Sequence, residues 1–171
     1  PEFYKWYGEK EFTFNKIRQQ NRNPLLALSI GADGMKTGFT NEAGYGLVGS
    51  AVQNGMRLIV VVNGLKSADE RADAARKLLS YGFNSFEQRL LFAEGQQIGD
   101  ARMFGGEHRY VALQTVGAKE VRLMVPKNSS DRVLARVVYQ GPIRAPVDKG
   151  KVVATLKVWR GDNIALEVPL E

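Results

Sequence analysis

The 171-residue chain is 44% hydrophobic and 25% charged, enough apolar material to bury a core in one large domain or two small ones. It holds no cysteine and a single histidine, His108, which excludes disulfides, thiolate metal sites, cysteine nucleophiles and a histidine-rich metal centre. Its net charge of +6 is spread along the chain, whereas a nucleic-acid binder gathers Lys and Arg into one run or face, and no apolar run approaches the roughly 18 residues of a membrane-crossing helix.

Residues 1–23 are aromatic and polar, and the alternation Glu11-Phe12-Thr13-Phe14 predicts a short strand. Asn21-Arg22-Asn23-Pro24 predicts a turn, with the proline holding Asn23 extended. Glycines at 31, 34, 38, 44 and 46 mark backbone that must turn tightly or come close to something. Tyr45–Val52 and Met56–Val62 form a predicted hairpin through Gln53-Asn54-Gly55, because a type I′ turn needs positive φ at both central residues. Its second arm is apolar on both faces, which predicts a central strand covered on both sides.

Ser67-Ala68-Asp69-Glu70 is a capping box, in which the Ser67 hydroxyl accepts from the Glu70 amide and the Glu70 carboxylate reaches back to the Ser67 amide. Ala68, Ala72, Ala75, Leu79, Phe83 and Phe86 then recur at spacings of three and four, one apolar helix face. Beyond about Leu90 the texture is short strands and turns. Val121, Leu123 and Val125 alternate up to Pro126. A second hairpin spans Gly150–Glu171, with Val152, Ala154, Leu156 and Val158 on one face. It turns at Gly161-Asp162-Asn163 and returns through Ile164, Leu166 and Val168. Four of the six prolines follow residue 120, which suits the edges and corners of an all-β module. The expected fold class is α+β, with a boundary near 87–91 separating residues 1–88 from an all-β module at 89–171.

The stretch from Gly31 to Gly38 invites two chemical readings. A phosphate-binding loop would need G-x-x-x-x-G-K-[ST], but Met35 precedes the lysine and no helical pattern follows Thr37. The other reading is a Lys36-Thr37-Gly38 strand edge of the kind used by acyl-serine transferases. Three common residues recur by chance, so the bland alternative is an exposed strand end with Lys36 paired to Asp33.

The wider context, Asp33-Gly34-Met35-Lys36-Thr37-Gly38-Phe39-Thr40-Asn41-Glu42-Ala43-Gly44-Tyr45, resembles the D-alanyl-D-alanine carboxypeptidases of the type-5 penicillin-binding protein family. The resemblance continues through Leu47-Val48-Gly49-Ser50-Ala51, Met56-Arg57-Leu58-Ile59, and Arg71 to Leu79. It also runs backwards through Gln20-Asn21-Arg22-Asn23 and Phe12-Thr13-Phe14-Asn15. Over 87–171 it is looser and lies mainly in strand texture. It implies part of a penicillin-binding and β-lactamase-like catalytic domain, an antiparallel sheet packed with helices, followed by that family's small β domain. It also implies an exported protein of the periplasm or cell envelope.

In that family a nucleophilic Ser sits in S-x-x-K and a second element reads S-x-N. No serine here has Lys three residues on or Asn two residues on. Both elements precede Pro1 in the family's order, so the resemblance implies an upstream fragment carrying the nucleophile. It assigns Lys36 an electrostatic and proton-moving role, Thr37 a hydroxyl contact to the substrate carboxylate, and Gly38 the clearance for substrate along the strand. The Phe39 backbone amide would be an oxyanion donor, where the family often has His. Arg71 and Arg22 would lie around the carboxylate, for which a guanidinium fork is suited. The competing reading makes Arg71 a solvated helix residue pairing with Glu70 or Asp69. The implied ligands are the peptidoglycan stem peptide and β-lactam antibiotics, without metal, cofactor or nucleic acid. Peripheral membrane association would come through a C-terminal anchor that this chain does not carry. The alternative function is a non-catalytic wall-binding or interaction module.

Overall fold

In a computed structural model that describes residues 2–171, the chain opens with a short 3-10 turn at Tyr4–Gly8. An antiparallel hairpin follows, β1 (Glu11–Phe14) and β2 (Ile17–Gln20), closed by Asn15 and Lys16 at φ 47° and 62°. Sequence alone anticipates β1 but not β2. Asn-Lys is a weaker signal for two positive φ values than Asn-Gly, and Ile17–Gln20 holds one apolar residue. Asn23 is extended (φ −76°, ψ 108°), and its side chain accepts from the Leu25 amide at 3.1 Å, capping a second 3-10 turn at Pro24–Ala27. That cap drops Leu25 fully into the core.

A three-stranded antiparallel sheet comes next: β3 (Ala32–Thr40), β4 (Gly44–Gln53) and β5 (Met56–Leu65), in that spatial order. Asn54 and Gly55 close the β4–β5 hairpin at φ 50° and 79°, as the type I′ reading requires. The sheet carries one helix, α1 (Ala68–Ser85), whose start is the Ser67 cap: the Ser67 hydroxyl accepts from the Glu70 amide at 3.1 Å. The return half of the capping box differs from expectation. Glu70 accepts from the Lys66 amide at 3.0 Å, because with Ser67 extended (φ −145°, ψ 165°) the preceding amide lies within reach.

The buried face of α1 is Arg71, Ala75, Leu79 and Phe83. The first-turn position therefore belongs to Arg71, while Ala68 is exposed and Phe86 has left the helix for a strand. Alanine periodicity specifies little here, and a long arginine stem can be buried like an apolar side chain. Ala75, Leu79 and Phe83 meet Leu25, Leu47, Ala51, Met56, Val60 and Val62 to make one core. Strand β5 is not covered on both sides: Ile59 and Val61 on its other face are 64% and 67% exposed. It is also not central, since among the described residues β4 is the strand with two neighbours, and α1 packs on the Val60 and Val62 face alone.

The described residues divide into a first unit ending at Glu87 and a second, Gln88–Glu171. Strand β6 (Phe86–Phe92) starts two residues before that division, and the second unit continues with β7 (Gly99–Phe104), β8 (Tyr110–Leu113), β9 (Val121–Pro126), β10 (Val133–Val138), β11 (Ile143–Arg144), β12 (Ala154–Arg160) and β13 (Asn163–Leu170). These pair as β6–β9, β11–β7–β8 and β10–β12–β13. Its core gathers Val121, Leu123 and Val125 from β9 with Ala154, Leu156 and Val158 from β12. The last hairpin turns at Gly161, φ 58°. Its returning arm shifts register between Val158 and Trp159, so Leu170 is fully buried while Ile164 is half exposed; Val152 precedes the strand and is exposed too. Among the described residues no helix is long and apolar enough to cross a membrane.

Candidate functional site

Lys36, Thr37 and Gly38 occupy β3, the strand at the other border of the first sheet, opposite Val48, Leu47 and Gly46 of β4. Side chains alternate along a strand. Thr37 thus shares the face of buried Leu47 and is itself 9% exposed, while Lys36 and Gly38 belong to the opposite face. A Cβ built on Gly38 meets nothing within 4 Å. The chain's own packing therefore does not demand glycine there, and an extended ligand has clearance along the strand.

The Lys36 ammonium donates to the Thr37 carbonyl at 2.6 Å and has no carboxylate partner among the described residues. The Lys36–Asp33 pair is not formed. Asp33 lies where the β3–β4 register shifts, and its carboxylate pairs with Arg57 at 2.8 Å and accepts from the Tyr4 hydroxyl at 3.0 Å. Arg57 also donates to the buried Ser50 hydroxyl at 2.5 Å. This network pins the first 3-10 turn to the sheet and engages the Asp33 carboxylate away from Lys36.

Burial alone would raise the Asp33 pKa, but hydrogen bonds with Arg57, Ser50 and Tyr4, with the Arg57 charge, hold it below its ordinary value. A carboxyl with a depressed folded-state pKa contributes stability above its unfolded pKa and loses it as pH falls through the folded value. Wild type is therefore expected to unfold at a higher temperature than Asp33→Asn at neutral pH, with the gap shrinking below about pH 4. Thermal unfolding at both pH values checks this; a gap independent of pH would remove Asp33 as its source.

Arg71 is not a solvated residue paired with Glu70 or Asp69. It is 9% exposed, its Nε has no hydrogen-bond partner, and no carboxylate pairs with it among the described residues. Its guanidinium carbon sits 5.5 Å from the centre of the Tyr45 ring. Tyr45 is the cross-strand partner of Phe39, and their rings lie 4.3 Å apart at 36°. The sheet and α1 thus bring Phe39, Tyr45 and Arg71 together on the border that carries Lys36-Thr37-Gly38. Arg22 is exposed on the link after β2, with no hydrogen bond or ion pair to any of them among the described residues. Tyr45 is the residue that sequence reasoning passed over as a site member. Its signals were its place between Gly44 and Gly46 and its position as the last residue of the stretch that carries the family resemblance. His108 lies exposed in a loop, and no His/Cys/Asp/Glu group among the described residues could hold a metal.

An exposed cation on an open strand border, with a buried unneutralised guanidinium on the helix that packs on the same sheet, could receive an anionic, extended ligand. A family model described as D-alanyl-D-alanine carboxypeptidase matches residues 1–67, and one described as the C-terminal domain of penicillin-binding protein 5 matches residues 86–171. The D-alanyl-D-alanine carboxypeptidase DacA of Haemophilus influenzae is 42% identical over 156 residues, 90% of this chain and 39% of that protein. DacD of Salmonella typhimurium is 36% identical over 172 residues, 99% of this chain and 44% of that protein. The solved penicillin-binding protein 5 from Haemophilus influenzae superposes with a TM-score of 0.83 at 38% identity, covering 100% of this chain and 50% of that one. The chain spans about two-fifths of the length of the curated relatives it matches.

Proposed function

Because this chain belongs to the penicillin-binding protein 5 family of D-alanyl-D-alanine carboxypeptidases, we propose that it supplies the Lys-Thr-Gly side of a serine-type carboxypeptidase site. That enzyme trims the terminal D-Ala from peptidoglycan stem peptides and is acylated by penicillins. The nucleophilic serine, its S-x-x-K lysine and the S-x-N element belong to an upstream segment of the same protein. The reaction is acyl transfer: the serine attacks the D-Ala-D-Ala carbonyl, D-Ala leaves, and water cleaves the acyl-enzyme.

In this reading the substrate backbone lies along β3 over Gly38 as an added strand. The Phe39 amide and the nucleophile's own amide receive the developing oxyanion. Lys36 supplies positive charge beside the reacting centre and moves protons. The Thr37 hydroxyl and the Arg71 fork receive the terminal carboxylate, with Arg22 as an outer cation. The protein works in the bacterial cell envelope on the periplasmic side, and any membrane attachment is peripheral, through a segment outside this chain. The observation that carries the reading is the buried Arg71 guanidinium, left without an acidic partner next to an open Lys36-Thr37-Gly38 border.

Fluorescent penicillin followed by a denaturing gel tests it, alongside D-Ala release from a peptide ending in D-Ala-D-Ala. The full-length protein is expected to be labelled and to release D-Ala. This 171-residue chain alone is expected to do neither, since active-site residues that act as a unit retain little when part is missing. A labelled chain would place the nucleophile within it, and an unlabelled full-length protein would favour the non-catalytic wall-binding role.

A further inference from the structure

We infer that Tyr45 is a positioning residue for substrate recognition: its ring holds the Arg71 guanidinium in place without consuming any of its N–H donors. The inference rests on the assignment of Arg71 to the substrate carboxylate. A buried arginine is ordinarily held by an acid, which neutralises its charge and occupies its fork. Arg71 is 9% exposed, has an unpartnered Nε, and has its guanidinium carbon 5.5 Å from the Tyr45 ring centre. An aromatic face attracts a cation through its quadrupole and accepts no conventional hydrogen bond. The full set of donors therefore stays available for an incoming carboxylate, and the charge stays unneutralised until one arrives.

The backbone places that ring. Gly44 is at φ 68°, and a Cβ there would come within 2.8 Å of the Leu65 carbonyl oxygen; a Cβ on Gly46 would come within 2.6 Å of the Asn63 side-chain oxygen. At Gly44 the obstacle is backbone and the φ is positive, so glycine is required there, whereas at Gly46 the obstacle is the movable end of Asn63; the β4–β5 register shifts between Tyr45 and Leu47. The Phe39 ring then packs on Tyr45 at 4.3 Å from the neighbouring strand. One aromatic side chain thereby touches both the residue proposed as oxyanion donor and the residue proposed to read the carboxylate.

Because the carboxylate is present in ground state and transition state alike, a loss here falls on KM more than on kcat. The test uses the full-length enzyme with two peptides, one ending in free D-Ala-D-Ala and one amidated at its terminus. Tyr45→Leu is expected to raise KM for the free acid by roughly 3- to 30-fold, the span of a cation–π contact, with little change for the amide. Tyr45→Phe, which keeps the ring, is expected to restore the preference for the free acid. Tyr45→Leu combined with Arg71→Ala is expected to be no worse than Arg71→Ala alone, since both changes remove one interaction. Penicillin labelling stoichiometry monitors folding, and Tyr45→Met replaces Tyr45→Leu if that variant is not labelled.

If Tyr45→Leu or Tyr45→Met impairs both peptides equally, or lowers kcat at constant KM, Tyr45 is structural and the inference falls. Arg71→Ala discriminating between the peptides in that same experiment would leave the carboxylate assignment standing. If Arg71→Ala itself fails to discriminate, the assignment falls and the Tyr45 role with it.

Discussion

Lys36→Ala in the full-length enzyme is expected to lower kcat/KM for a D-Ala-D-Ala peptide by about 2.7–4 kcal/mol, the usual loss when one preorganised transition-state contact is removed. The fold should not suffer. Lys36 is exposed and donates to the Thr37 carbonyl, and substitutions at such positions usually change stability by about 0.5 kcal/mol or less. Asp33 offers no compensating rearrangement, because Arg57 and Tyr4 already hold its carboxylate. Phe39→Ala is expected to be milder. The proposed donor there is the main-chain amide, which the substitution keeps, and what is lost is the ring contact to Tyr45. Steady-state rates and penicillin acylation rates on both variants decide it. Losses of equal size would end the division between a side-chain charge at 36 and a main-chain donor at 39.

Arg71→Met is expected to act in opposite directions on stability and on activity. Burying a polar nitrogen without a partner costs about 1–3 kcal/mol, and Arg71 Nε is in that state. A flexible thioether of similar length can fill the space beside Ala75 without that cost. The melting temperature of the full-length protein should therefore rise. For free-acid peptides, the barrier should rise by roughly 1.5–3 kcal/mol, the worth of hydrogen bonds to a charged group. A peptide amidated at its terminus should be affected far less. Arg71→Lys should recover activity only in part, because a point charge cannot reproduce the planar fork. Thermal unfolding and kcat/KM on both peptides provide the check. A destabilised Arg71→Met would mean that the guanidinium is held by its surroundings for the sake of the fold.

The fold features legible in the sequence are those whose chemistry is complete within a few residues. Asn54-Gly55 specifies a hairpin because both positions take positive φ. Ser67 specifies a helix start because its hydroxyl meets an amide three residues on. Val121, Leu123 and Val125 specify a strand face because the strand period is two. The family resemblance likewise rests on a contiguous stretch around Lys36-Thr37-Gly38.

What the sequence could not determine is which distant partner a side chain meets, since that depends on contacts across tens of residues. Apolar periodicity says which faces of β5 are hydrophobic and nothing about whether both are covered; α1 covers the face with Val60 and Val62, and among the described residues nothing buries Ile59 and Val61 on the other. The nearest opposite charge in sequence suggested Lys36 for Asp33 and Glu70 or Asp69 for Arg71. Tertiary packing instead brought Arg57 to Asp33 from 24 residues away, and turned Arg71 inward onto the ring of Tyr45. Charged side chains pair with whatever the fold sets within their reach, and the strength of a pair falls with separation and solvent. Local chemistry in the sequence thus determined the elements and the Lys-Thr-Gly border. The packing of α1 across β4 decided that this border has a buried, unneutralised guanidinium beside it.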